Sequence, residues 1–72
     1  MKIEFSTRQF VRSHMREPRG RGSWAFNLGT GDVWFSSSMT YAEAKKAAKA
    51  ELLARLGAHV AAVPYALIEL LP

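Results

Sequence analysis

No cysteine occurs in the 72-residue chain, so neither a disulfide nor a thiolate-held metal can brace it. A domain this short buries only about 60% of the surface its unfolded chain exposes, so stability must come from local patterning or from association. A cysteine-free composition also suits a reducing compartment. No apolar run approaches the ~18 residues that would span a bilayer. The opening stretch MKIEFSTRQF carries charge at positions 2, 4 and 8, where a secretory leader would be apolar. The expectation is one cytoplasmic domain, residues 1–72, without membrane association.

Catalytic vocabulary is equally thin. The two histidines, His14 and His59, stand far apart, and no HxH or HxxxH spacing occurs. There is no GxxxxGK[ST] phosphate loop, no GxGxxG fingerprint and no GxSxG elbow. The RGRG segment at 19–22 precedes a strand-like run, whereas glycine-rich nucleotide loops follow a strand and open a helix. Nothing points to a metal or a cofactor, and the chain reads as a binding protein rather than an enzyme.

What is present in excess is positive charge. Ten Lys and Arg face six Asp and Glu, a net charge of +4, which favours an acidic partner. The charge is concentrated in two places. From Arg8 to Arg21 there are five arginines (Arg8, Arg12, Arg16, Arg19 and Arg21) and one acid, Glu17. Lys45, Lys46 and Lys49 form a second basic patch on a helical segment, where a solvated helix face is the simpler reading.

Hydrophobic periodicity divides the chain. KIEFS at 2–6 alternates and reads as a strand. Residues 7–15 fit either a short helix capped by Ser6 or Thr7, or a continuation of that strand to Val11. REPRGRG is a loop, since Pro18 stops a helix and Gly20 and Gly22 widen the accessible backbone angles. Trp24, Phe26 and Leu28 alternate with Ser23, Ala25 and Asn27, and GTGD then turns the chain into VWFSS, which makes 23–37 an antiparallel hairpin. Thr40-Tyr41-Ala42-Glu43 is a capping box opening a helix over 41–56, with a buried stripe of Tyr41, Ala44, Ala48, Leu52 and Leu56 and Gly57 as its stop. The apolar tail suits a central strand, Tyr65–Leu71, with a second short helix as the competing reading. The fold class is therefore α+β: a single antiparallel sheet of three to four strands with one long helix across it. If 7–15 is helical, the order βαββαβ matches a ferredoxin-like layout.

Arginine forks suit phosphates and carboxylates, and glycines allow a ligand close to the backbone. The candidate partner-binding set is Arg12, Arg16, Arg19 and Arg21, with Trp24 and Trp34 as nearby aromatics able to stack on a base or a guanidinium. Trp34 and Phe35 are adjacent, so one of them must lie on the sheet face away from the helix. Alanine at Arg16, Arg19 and Arg21 is expected to remove binding while leaving the thermal midpoint nearly unchanged.

From Gly22 to Leu56, the pattern GSWAF…GDVWFSSSMTYAEAKKAAKAEL resembles the arm-type DNA-binding domain of phage tyrosine-recombinase integrases. That resemblance implies a sheet that enters the major groove, with Ser23, Ala25, Asn27 and the neighbouring arginines at DNA. The apolar tail after the helix is a departure from that pattern. In its size, its sheet-plus-helix layout and its lack of catalytic residues, the chain also resembles phage and plasmid accessory proteins of the anti-CRISPR type. This second likeness implies an inhibitor that occludes a host nucleic-acid-handling complex such as a CRISPR effector. A structural homodimer without any nucleic-acid role would also account for the surplus aromatics and the apolar tail.

Overall fold

The structure is a computed structural model, and it describes residues 1–29 and 31–72. The chain forms β1 (Lys2–Ser6), α1 (Arg8–His14), β2 (Arg21–Asn27), β3 (Val33–Thr40), α2 (Tyr41–Leu56), a 3₁₀ segment (Gly57–Ala62) and β4 (Tyr65–Leu70). The fold is α+β with one four-stranded sheet, and the long helix has the expected bounds. Residues 8–14 are helical, which decides the first open alternative. The tail is a strand, which decides the second. The hairpin turn expected at 29–32 includes Thr30, which lies outside the described residues.

The sheet order is β1-β4-β2-β3. β2 runs antiparallel to both β3 and β4, so β3 and β4 are parallel to each other with β2 between them, joined by the α2 crossover. β1 pairs with β4 in parallel, Ile3 beside Ala66 and Phe5 beside Ile68. The sheet is thus mixed rather than wholly antiparallel, although the element order is βαββαβ. Alternation dictates which face a residue takes and carries no information about strand direction.

Alternation does place the core. Trp24, Phe26 and Leu28 of the hairpin join Ala66, Ile68 and Leu70 of β4 on one buried face, with Ala44, Ala48 and Leu52 of α2 packed against them. Phe26, Leu28, Leu52, Ile68 and Leu70 are fully buried, and each contributes about 2 kcal/mol of transfer free energy. The alanines let α2 approach the sheet closely, and Tyr41 reaches over Phe26 and Trp24 at 6.3 and 5.5 Å between ring centroids. At α1, Gln9 donates to Glu69 of β4. Phe10 is buried there, stacked on His14 and tilted against Trp24.

Two local devices tie these elements together. The capping box at the start of α2 is complete: Thr40 Oγ1 accepts from the Glu43 N–H at 3.2 Å, and Glu43 Oε1 accepts from the Thr40 N–H at 2.9 Å. Just before it, the β2–β3 register slips, Gly22 facing Met39 and Trp24 facing Ser36. Ser37 and Ser38 therefore both stand against Ser23, a β-bulge that bends the strand. Ser38 takes the left-handed conformation at φ 58°, which costs a non-glycine residue about 1 kcal/mol.

Candidate nucleic-acid interface

The sequence points to the arginines between positions 8 and 21, and the structure separates them into two kinds. Arg21 opens β2, and its Nη1 donates to the Ser38 carbonyl at 2.7 Å. Its other terminal nitrogen lies 3.7 Å from Glu43. Arg21 thus holds the bulge and reaches the capping box of α2, so its guanidinium is already engaged within the fold. Trp24 does a parallel job, donating its indole N–H to the Met39 carbonyl at 2.8 Å. The carbonyls of Ser38, in the bulge, and of Met39, beside it, thus each accept from a side chain of β2.

Arg8, Arg12, Arg16 and Arg19 differ from Arg21. All four are exposed, and no carboxylate pairs with any of them among the described residues. Arg8 and Arg12 sit one turn apart on α1. Arg16 and Arg19 follow in the connecting segment, which leaves the helix through Met15 at φ 57° and reaches β2 through Gly20 at φ 82°. The charge of Glu17 is felt at Tyr41, whose hydroxyl pKa is raised first by burial and then by that carboxylate. This segment therefore runs close to the start of α2.

Neither tryptophan of the expected set is fully exposed. Trp24 is 7% exposed and belongs to the core. Trp34 is half-buried and faces Phe26 across the hairpin, 6.3 Å between centroids. The exposed aromatic of the adjacent pair is Phe35, at 72%. It lies on the sheet face away from α2, in register with Ala25. It helps line a hollow of about 320 Å³ together with His14, Ser23, Ala25 and Leu71. Ser23, Ala25 and Asn27 share that open face, Ser23 exposed and the other two half-buried, with Phe10 of α1 lining the same hollow. Phe35 was legible in the sequence: once Trp24 and Phe26 are assigned to the core, the parity of the hairpin sends Trp34 and Ser36 to the same side.

Lys45, Lys46 and Lys49 form a separate feature. With Phe5 and Ala42 they line a hollow of about 270 Å³ that includes none of the arginines. Lys45 is half-buried, its ammonium 5.1 Å from the Phe5 ring centroid and 5.6 Å from that of Tyr41. Such a cation–π contact anchors the residue to the helix–sheet seam, while Lys46 and Lys49 are solvated. Among the described residues no group of three or more His, Asp or Glu converges as a metal site would require. No helix among them is long and apolar enough to cross a membrane. No protein-family model, no curated protein and no solved structure matches this chain.

Proposed function

We propose that this chain is a non-catalytic binding module for nucleic acid, gripping the phosphate backbone with Arg8, Arg12, Arg16 and Arg19. The observation that carries this reading is the set of four exposed guanidiniums with no carboxylate partner among the described residues. Forked donors left unneutralised along one continuous segment suit a polyanion whose charges are regularly spaced. Beside them, the open face of β2 and β3 offers Ser23, Ala25, Asn27 and Phe35, small and polar side chains with one aromatic. A sheet surface of that kind is used by nucleic-acid readers that lay strands against a groove or stack bases on an aromatic. The reading needs no cofactor, and it places the protein in the cytoplasm with its ligand.

A second reading has one observation of its own. Met15, 85% exposed, stands directly before Arg16, and an apolar side chain among arginines suits a protein surface better than phosphate. In that reading the chain occludes an acidic patch of a nucleic-acid-handling complex, such as a CRISPR effector.

Salt separates the two. Four phosphate contacts imply a log–log salt slope near −3.6, so affinity for random duplex DNA falls roughly a hundredfold between ~50 and ~200 mM salt. Fluorescence anisotropy with labelled duplex and single-stranded DNA reads this directly. Alanine at Arg12, Arg16 and Arg19 together should flatten the slope. Absence of binding at ~50 mM salt overturns the nucleic-acid reading and leaves the protein-directed one.

A further inference from the structure

β3 forms one border of the sheet, and β1 forms the other. The β1 border is short and guarded by charge: five residues carrying Lys2 and Glu4, which pair at 3.1 Å. The β3 border is guarded only near its end, by the bulge at Ser37 and Ser38. Over eight residues, Val33–Thr40, it holds no charge and no proline, the devices that normally keep an edge from pairing with another strand.

The ladder also decides which backbone groups point outward. The Leu28 N–H donates to the Asp32 carbonyl at 3.0 Å, making that a hydrogen-bonded pair at the hairpin end. Hydrogen-bonded and non-hydrogen-bonded pairs alternate along an antiparallel ladder. Trp34 and Ser36 therefore bond inward to Phe26 and Trp24, and the N–H and C=O of Val33 and Phe35 face the free edge. The same two residues are exposed on the open face, Val33 at 45% and Phe35 at 72%. The bulge at Ser37 and Ser38 ends the regular stretch, so the sticky part of the edge centres near Phe35.

We propose that the β3 edge is a homodimer interface, pairing antiparallel with β3 of a second copy about a two-fold axis at Phe35. An antiparallel edge is self-complementary under such an axis: Phe35 of each chain donates to and accepts from the other, and Val33 meets Ser37. The two phenyl rings then stand side by side on the open face as a cross-strand pair. Charge selects the occupant. The chain carries a net charge of +4, so two copies repel over most approaches, but at this edge β3 brings no charge to the contact. A polyanion, by contrast, gains nothing from an uncharged edge. The result is a continuous eight-stranded sheet, twice the observed four strands. The arginine segments enter the sheet where Arg21 pairs with Thr40, so they fall at opposite ends of the seam. At about 3.3 Å per residue they stand on the order of 30 Å apart, close to one turn of duplex DNA at roughly 34 Å. This spacing matters only if the arginines bind nucleic acid; the dimer itself does not depend on that.

The test is sedimentation equilibrium over a wide dilution series. The expected result for the unaltered chain is reversible association to the mass of two chains. Phe35→Lys sets like charges across the two-fold at an exposed position, and it should give one-chain mass with an unchanged circular dichroism spectrum. Since the chain has no cysteine, Phe35→Cys should oxidise quickly to a disulfide-linked dimer, while Ala50→Cys, exposed on α2, should not. One-chain mass for the unaltered protein at every concentration overturns the proposal. So does a dimer indifferent to Phe35→Lys, or equal cross-linking at position 50. Alanine at Arg12, Arg16 and Arg19 should dimerise normally, so loss of DNA binding and loss of the dimer are separate outcomes.

Discussion

Replacing Arg21 by alanine should destabilise the fold, whereas the same change at Arg16 or Arg19 should not. The Arg21 guanidinium donates to the carbonyl of Ser38 at 2.7 Å, and Ser38 is itself held in the left-handed region. A hydrogen bond from a charged donor is worth about 1.5–3 kcal/mol when sheltered. Here the arginine side chain is 63% exposed, and water can replace much of what is lost, so the expected cost is about 1 kcal/mol. For a domain of this size, that lowers the midpoint by roughly 4–8 °C. Among the described residues Arg16 and Arg19 have no such partner, and their alanine variants should stay within about 0.5 kcal/mol of the parent. Thermal melts followed by circular dichroism measure both, and anisotropy titration supplies the converse: Arg16→Ala and Arg19→Ala should weaken DNA binding more than Arg21→Ala does. An unchanged midpoint for Arg21→Ala, or equal drops at all three positions, would refute this division of labour. The division also revises the expectation that all three arginines could be removed without thermal consequence.

Gly29→Ala should be among the most damaging single changes, because Gly29 has φ 82° and an added Cβ would lie 2.7 Å from the Leu67 backbone oxygen. Urea unfolding should show a loss above about 2 kcal/mol, against about 1 kcal/mol for Gly31→Ala, where φ is 91° but the space is open. Stability should also depend on pH through Glu43. Its pKa is lowered first by the Thr40 backbone N–H, then by the Thr40 hydroxyl, and also by Arg21. A depressed folded pKa contributes stability above the ordinary carboxylate value and loses it as pH falls through the folded one. The melting curves of the parent and Glu43→Gln should therefore differ most at neutral pH and converge in acid; a constant gap would count against the assignment.

How much of this was readable in advance varies by element. The capping box and the bounds of α2 were legible because a helix start is local chemistry, written in Thr40 and Glu43 three residues apart. The buried stripe of Ala44, Ala48 and Leu52 followed from helical spacing. The helix at 8–14 stayed ambiguous because Phe10, Val11 and His14 fit it only loosely, and its burial depends on Trp24, a residue distant in sequence. The candidate site was legible as charge and illegible as roles. Arg21 and Arg19 are neighbours of the same type, and only the bulge makes one of them a clip and leaves the other free.

Composition and periodicity by themselves therefore determined the absence of covalent braces, the alternating hairpin and the long helix, and the basic segment from Arg8 to Arg21. These are properties of short windows, where propensity and alternation act. Tertiary structure decided the parallel seating of β1 on β4, the slip between Gly22 and Trp24, and the engagement of Arg21 with the bulge. Each depends on which strand lies beside which and in what register, a choice made by packing between residues that are far apart in the chain.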